Sequence, residues 1–458
     1  MAGQSGNPAS DRAGWIAAAL LVLSFVLGGG GSPAPLLEIA LQGCVAIAAL
    51  LLVATAPEIF ERVPAAGWRI AALVMVIPIV QLIPLPPSWG QALPGRSAQI
   101  AALELTGSAD TWRALSLSPS RTLARLLAAG SALLCLILTA ALDQRGRNHL
   151  ITAVAGIGLL TVLVGGAQLS GGQDSLLRYF DPNEIFLTGF QANHNSTADV
   201  LLVAMVALAA WARRWLDHGA VRPTRLQLAG GVGLVNGVMI LALVLAGSRA
   251  GIALLPVALV FQYLILQPGS RINWTKAGLS TLGAAGLVVA AYFALRNNRA
   301  IAAIAGRFDF TGEFRPELWR DALFALGQYW PAGSGQGTFV PVMIAVERLE
   351  VVDPTLPNRA HNDYLELLIG AGLPGVLVFL ALAILVGNAI WRALRQPPAG
   401  SRSQVLFACG SLIILALHSL VDYPLRSMAL AALAATAVGL LIPARKIEIV
   451  DTTKGSQP

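Results

Sequence analysis

The sequence predicts an all-α polytopic membrane protein of about twelve transmembrane helices, with a large outer (periplasmic) loop that carries short helices of its own. Three observations carry this. The chain is 56% hydrophobic and only 12% charged, where a soluble domain is about one quarter charged. Its apolar residues gather into runs of about 20, the length at which a helix crosses a bilayer. The short segments between alternate runs hold the arginines and lysines, which marks one side as cytoplasmic.

The runs fall, in order, at roughly 14–30, 36–55, 67–85, 121–142, 150–170, 196–216, 227–246, 250–267, 277–295, 366–391, 404–420 and 427–443. The first is expected to be a retained span and not a cleaved signal: its basic flank is Arg12 alone, and no small-residue cleavage site leads into a soluble domain. With a cytoplasmic N-terminus, the inner segments hold Arg62 and Arg69, Arg145 and Arg147, Arg213, Arg214, Arg222 and Arg225, Arg271 and Lys276, then Arg392, Arg395 and Arg402. The formal net charge of +7 therefore reports topology and no nucleic-acid partner. Cys44, Cys135 and Cys409 all lie inside runs, as inert thiols outside any disulfide framework.

Three outer segments interrupt the pattern: 86–120, 171–195 and the long 296–365. A loop of that last length is usually functional. Within it "RPELWRDALFALGQYW" predicts a helix with Leu318, Ala322, Leu323 and Leu326 on one face, and 331–339, "PAGSGQGTF", a glycine-rich turn. The unusual polar residues collect at outer ends of runs: Asn193, His194, Asn195, Arg249, Arg315, Arg320, His361, Asn362, His418, Asp422 and Arg426. Nucleotides are absent outside the cell, so an energised substrate there arrives already activated on a lipid.

Each motif has a plain reading and a chemical one. Arg249, in "GSRAG", is either a snorkelling arginine or a fixed cation for a phosphate, to which its planar fork is suited. "RAHNDYLELL" opens a helix, with Asp363 and Glu366 as a capping box. That leaves His361, just before the cap, as a candidate general base near neutral pH. The following "GAGLPG", 370–375, breaks the helix, which lets backbone approach closely or lets a half-helix end line a cavity. Asn193 and Asn195 are helix caps or ligands for sugar hydroxyls or a diphosphate. Arg315, Trp319 and Arg320 are a solvated face or part of a site. His418 and Asp422 stand four apart and pair if the helix continues that far, with Arg426 four further on. No HExxH, cysteine ligand or spaced carboxylate accompanies the histidines, so no metal is expected. The absence of a GxSxG elbow argues against a serine hydrolase, and "GSGQG" lacks the end of a phosphate loop.

Taken in order, these motifs resemble the O-antigen ligase and O-antigen polymerase superfamily of bacterial membrane glycosyltransferases. Its signature is His-Asn, nine residues, then G-x-x-G; here it reads His361-Asn362, residues 363–371, then Gly372-Leu373-Pro374-Gly375. "GFQANHNSTA", "GSRAG", "RPELW…PAGSGQGTF" and "HSLVDYPLR" are similar to its other segments. The resemblance covers about 150–440 and implies three divisions: 1–150 with the first four helices and loop 86–120, a ligase/polymerase-like catalytic region over 151–443, and a cytoplasmic tail at 444–458. It implies a multi-pass protein of the bacterial inner membrane with its active site at the periplasmic face. The implied reaction moves a glycan from undecaprenyl diphosphate to a hydroxyl of lipid A core or of another glycan, without metal or other cofactor, with polysaccharide export proteins as possible partners. In that reading His361 is the base, and Arg249 stabilises the diphosphate with Arg315 or Arg320. Asn193, Asn195, Trp319, Asn362, His418, Asp422 and Arg426 contact substrate, the broken helix gives the donor room, and displacement inverts the anomeric centre. An O-antigen or exopolysaccharide polymerase fits the same motifs. A transporter for lipid-linked oligosaccharides, or a non-catalytic scaffold, is a more distant reading, since the polar residues sit at one face and not at mid-membrane.

Overall fold

The computed structural model describes residues 8–30, 35–172, 175–178, 185–218, 224–267, 283, 286, 314–348, 350, 352, 356–396 and 402–445. In chain order its helices are α1 Pro8–Leu27, α2 Pro35–Thr55, α3 Glu58–Glu61, α4 Ala65–Leu82, α5 Pro87–Ala92, α6 Ser97–Leu105, α7 Pro119–Ala141, α8 Gln144–Gly171, α9 His194–His218, α10 Arg225–Leu245, α11 Arg249–Leu266, α12 Arg315–Tyr329, α13 Phe339–Val346, α14 Asp363–Arg395, α15 Arg402–His418 and α16 Met428–Leu441. A two-residue antiparallel pairing joins β1, Pro84–Leu85, to β2, Arg113–Ala114. Among the described residues nine helices are long and apolar enough to span a membrane, and α15 and α16 are shorter apolar helices. They account for every expected run except 277–295, which apart from 283 and 286 lies outside the described residues. The chain is an all-α polytopic membrane protein.

The helix starts follow from local chemistry. The Asp143 carboxylate accepts from Gly146 N at 2.9 Å, and Ser248 Oγ from Gly251 N at 3.0 Å, each satisfying an orphan donor of the first turn. Thr224 and Gln227 form a reciprocal capping box. The expected box at Asp363 and Glu366 is absent. The cap is one residue earlier, where Asn362 Oδ1 accepts from Leu365 N at 3.0 Å, and both carboxylates are drawn into ion pairs instead.

Helix α9 is the axis of the bundle. It packs against α8, α10, α11 and α15, and every residue from Val200 to Ala210 is buried. Lipid is as apolar as leucine, so close packing has to hold such helices together. Small residues provide it: a Cβ on Gly158 of α8 would stand 2.2 Å from the Ala204 Cβ of α9.

At one end of the bundle Arg147 is buried. It donates to Leu142 O at 3.0 Å, to Leu440 O at 3.0 Å and to Ile442 O at 2.6 Å. One guanidinium thus closes the C-terminal ends of α7 and α16, where carbonyls lack helical partners and the helix dipole favours a cation.

At the other end, α14 is interrupted as expected. Gly372 leaves the helix with φ +53° and ψ −146°. The gap is filled by the glycine-rich turn. Ser334 N donates to Ile369 O, Gly335 N to Gly370 O and Leu373 N to Pro331 O, all at 2.9 Å. Gln81 of α4 clamps both partners, donating to Gly370 O and accepting from Gln336 N at 2.7 Å each. A Cβ on Gly372 would meet Pro331 O at 2.2 Å, and one on Gly333 would meet Gly370 O at 2.7 Å. The expectation that the break leaves room for a lipid-linked donor is therefore corrected: it seats backbone, which satisfies the groups the broken helix exposes. Helix α12 forms as expected, but its buried face is Leu318, Asp321, Ala322, Ala325 and Tyr329, and Leu323 is exposed.

Candidate active site

His361 sits where α12, α14 and the segment between α15 and α16 converge. Its backbone is left-handed, φ +46°, at a cost of roughly 1–2 kcal/mol for a residue with a Cβ. Such strain persists only where surroundings hold it. Here Trp319 Nε1 donates to Ala360 O at 2.8 Å, and Asp363 N donates to Ser419 O at 3.0 Å, pinning the residues on either side. Phe314 and Tyr423 meet the imidazole edge-on, with centroids at 5.2 and 5.0 Å.

The ring is oriented by a carboxylate. His361 Nδ1 lies 3.1 Å from Asp422 Oδ1, and Asn193 Nδ2 donates to Asp422 Oδ2 at 3.3 Å. Asp422 is buried, whereas the His361 side chain keeps 17% of its surface open. Burial pushes the Asp422 carboxyl up, but its bond to His361 and the charges of His361, His418 and Arg315 outweigh that and leave it below its ordinary value. An ionised Asp422 holds the proton on Nδ1, which leaves Nε2 as the acceptor.

The other expected residues divide. Arg315, at the first position of α12, is half-buried and near enough for its charge to act on Asp422 and His418. Arg249 is half-buried at the first position of α11. Its turn is tied to the site indirectly: Gly247 stands against the Phe186 ring, which meets the His194 ring at 5.1 Å beside Asn193. Asn193 also accepts from Asn195 N at 2.8 Å, so the cap of α9 is Asn193, and Asn195 is buried in the first turn. Arg320 is exposed, with its charge acting on Glu317, and stands apart from the cluster. Trp319 holds the histidine loop. Asn362 has its oxygen on Leu365 N and its nitrogen on Leu420 O at 2.9 Å, so its amide is engaged on both sides by backbone.

His418 and Asp422 do not pair. Helix α15 ends at His418, whose carbonyl accepts from Val421 N and Asp422 N at 2.9 Å, and the two side chains take different partners. His418 Nδ1 instead meets Asp199 Oδ1 of α9 at 2.7 Å, both side chains fully buried. Arg426 is engaged too, with Asp363 Oδ1 at 3.0 Å and Glu366 Oε1 at 3.5 Å, while Arg359 reaches Glu366 Oε1 at 3.1 Å. Burial pushes the Arg426 guanidinium down, and those two carboxylates more than offset it and raise it.

Sequence reasoning missed Asp199, Arg359 and the paired roles of Asp363 and Glu366. Asp199 carried a usable signal: it is the one ionisable residue between 196 and 212, and a lone acid in a span needs a partner.

Residues 234–380 match the family model of O-antigen ligase. About a third of the chain is thus similar to that family. The match agrees, over this segment, with the resemblance drawn from the motifs. It contains Arg249, Arg315, Trp319, Arg320, His361 and Asn362. Asn193, His418, Asp422 and Arg426 lie outside it, so the carboxylate that orients His361 comes from beyond the matched segment. No curated protein matches the chain.

Proposed function

We propose that the protein is an O-antigen ligase-like enzyme of the bacterial inner membrane, working at the periplasmic face. It moves a glycan from undecaprenyl diphosphate to a hydroxyl of lipid A core or of another glycan. The observation that carries this reading is the His361–Asp422–Asn193 arrangement: a partly open imidazole on a strained backbone, oriented by a buried carboxylate that an asparagine fixes from its other side.

His361 Nε2 accepts the proton of the acceptor hydroxyl as its oxygen attacks the anomeric carbon. The bond from that carbon to the diphosphate oxygen breaks, and its electron pair leaves with the diphosphate. Asp422 stabilises the imidazolium that forms. Arg315 and Arg249 supply positive charge for the leaving diphosphate. One displacement with one base inverts the anomeric centre, and the steps above use no metal.

The test is deletion of the gene in its bacterium, followed by gel separation of surface and lipid-linked glycans, with rescue by wild type, His361→Ala and Arg249→Ala. Polymeric glycan left on the lipid carrier, rescued by wild type alone, supports a ligase. Single repeats in place of ladders make the protein a polymerase. Full rescue by both variants sinks the assignment.

A further inference from the structure

A groove lies away from His361, at the end of the bundle where Arg147 sits. It has a volume of about 980 Å³ between α1, α8 and α9. Trp15, Ala18, Ala19, Val22 and Leu23 of α1 form one wall. His149, Thr152 and Ala153 of α8 form the floor, and Trp211, Arg214 and Trp215 of α9 the other wall. The wall residues of α1 recur at the spacing of one helical face, so a continuous apolar strip runs from Trp15 to Leu23. At 1.5 Å per residue that strip is about 12 Å long. The hydrocarbon core is about 30 Å thick, so the strip has the reach of an acyl chain in one leaflet.

The polar mouth is equally particular. Trp15 stacks on His149 with centroids 4.4 Å apart, and Trp211 and Trp215 stand 5.9 Å apart. Trp15 and Trp215 are exposed, as aromatic residues at a membrane–water boundary are. Three acids on α1, α8 and α9 at this end have partners: Asp217 holds Arg213, Asp11 holds Arg145 and Asp143 caps α8. Arg214 is the cation that lines the groove, near enough to His149 to act on its ring together with Arg145. His149 Nδ1 is buried with no hydrogen-bond partner among the described residues.

We propose that this groove holds one anionic phospholipid of the cytoplasmic leaflet, its phosphate at Arg214 and one acyl chain along Ala18, Ala19, Val22 and Leu23. An apolar trough of single-leaflet length with a cation and tryptophans at its mouth matches that molecule in both parts. The site is separate from the proposed transfer chemistry, and its test does not depend on it.

The experiment is native mass spectrometry of the full chain in detergent, with phosphatidylglycerol and phosphatidylcholine as competing probes, on wild type, Arg214→Gln and Ala19→Phe. Ala19 is exposed, so phenylalanine there fills the groove without disturbing the core. Expected is one retained phosphatidylglycerol per wild-type chain. Arg214→Gln weakens retention about fivefold, the worth of one cation beside an anionic lipid. Ala19→Phe abolishes it while leaving the unfolding midpoint in place. Equal retention of the two lipids, or retention unchanged in both variants, overturns the proposal. A chain dimer that Ala19→Phe dissociates, with no bound lipid, also overturns it and makes the groove an interface between copies.

Discussion

Among single residues, chemistry and structure separate cleanly at His361 and its neighbour Asn362. His361 has an open ring, an orienting carboxylate and a strained backbone. Its replacement by alanine is expected to lower transfer from a lipid-linked donor by about 10²–10⁴-fold, the usual worth of a general base, with the unfolding midpoint nearly unchanged. Asn362→Ala is expected to do the opposite. It removes an N-cap worth about 1 kcal/mol and lowers thermal stability, while activity per folded molecule persists; loss of turnover at full stability would return Asn362 to the site. Asp422→Asn leaves the shape but removes the charge that favours the imidazolium, so turnover falls about 10–100-fold, as for other groups that orient a ligand histidine. The sign of its pH effect follows from the depressed carboxyl. The stabilisation it gives is present above the ordinary value of about 4 and is lost as pH falls through the lower folded value. The difference in unfolding midpoint between wild type and Asp422→Asn, measured from pH 6 downward, should therefore hold to about pH 4 and then shrink.

Among elements, the break in α14 decides most. The glycines and proline of 370–375 announced a broken helix from the sequence alone. What fills the break was not legible, because the filling turn lies more than thirty residues earlier and no local pattern names a partner. Gly372→Ala puts a Cβ at positive φ and 2.2 Å from Pro331 O, so it should cost more than the roughly 1–2 kcal/mol of the left-handed backbone alone. Proteolysis near 331–338 should rise with it. Gly327 is the control: it lies exposed within α12 with nothing within 4 Å of an added Cβ. Gly327→Ala should stabilise by about 0.5–1 kcal/mol through lost freedom of the unfolded chain. If both glycines respond alike in a thermal unfolding series, the docking of the turn into the break is wrong. The missed face of α12 has a related cause. Apolar residues occupy both sides of that helix, so periodicity could not choose between Leu323 and Ala325; packing against α13 and α14 chooses.

In the whole molecule, the spans were readable because twenty apolar residues add into one strong signal, whereas ties between distant ends depend on single residues. Arg147 shows the difference. In sequence it is one more arginine in a basic inner segment, an expected interfacial anchor. In the structure it is buried and bonded to carbonyls almost three hundred residues further along, joining the last helix to α7. Helix α16 starts beside the His361 segment and ends at Arg147, so the guanidinium holds one end of an element whose other end carries the site. Hydrogen bonds to a charged group contribute about 1.5–3 kcal/mol each. Arg147→Ala removes those to Leu142, Leu440 and Ile442 and a fourth, longer one to Ala140 O at 3.4 Å, so the unfolding midpoint in detergent should fall steeply and yield should drop. Arg147→Lys keeps the charge but loses the fork and should recover only part. Activity per folded molecule should be preserved in both, since Arg147 and His361 lie at opposite ends of α16. A variant that stays folded to the wild-type midpoint yet loses transfer would mean that this end of the bundle acts on the chemistry, and that separation of anchor from site would have to be abandoned.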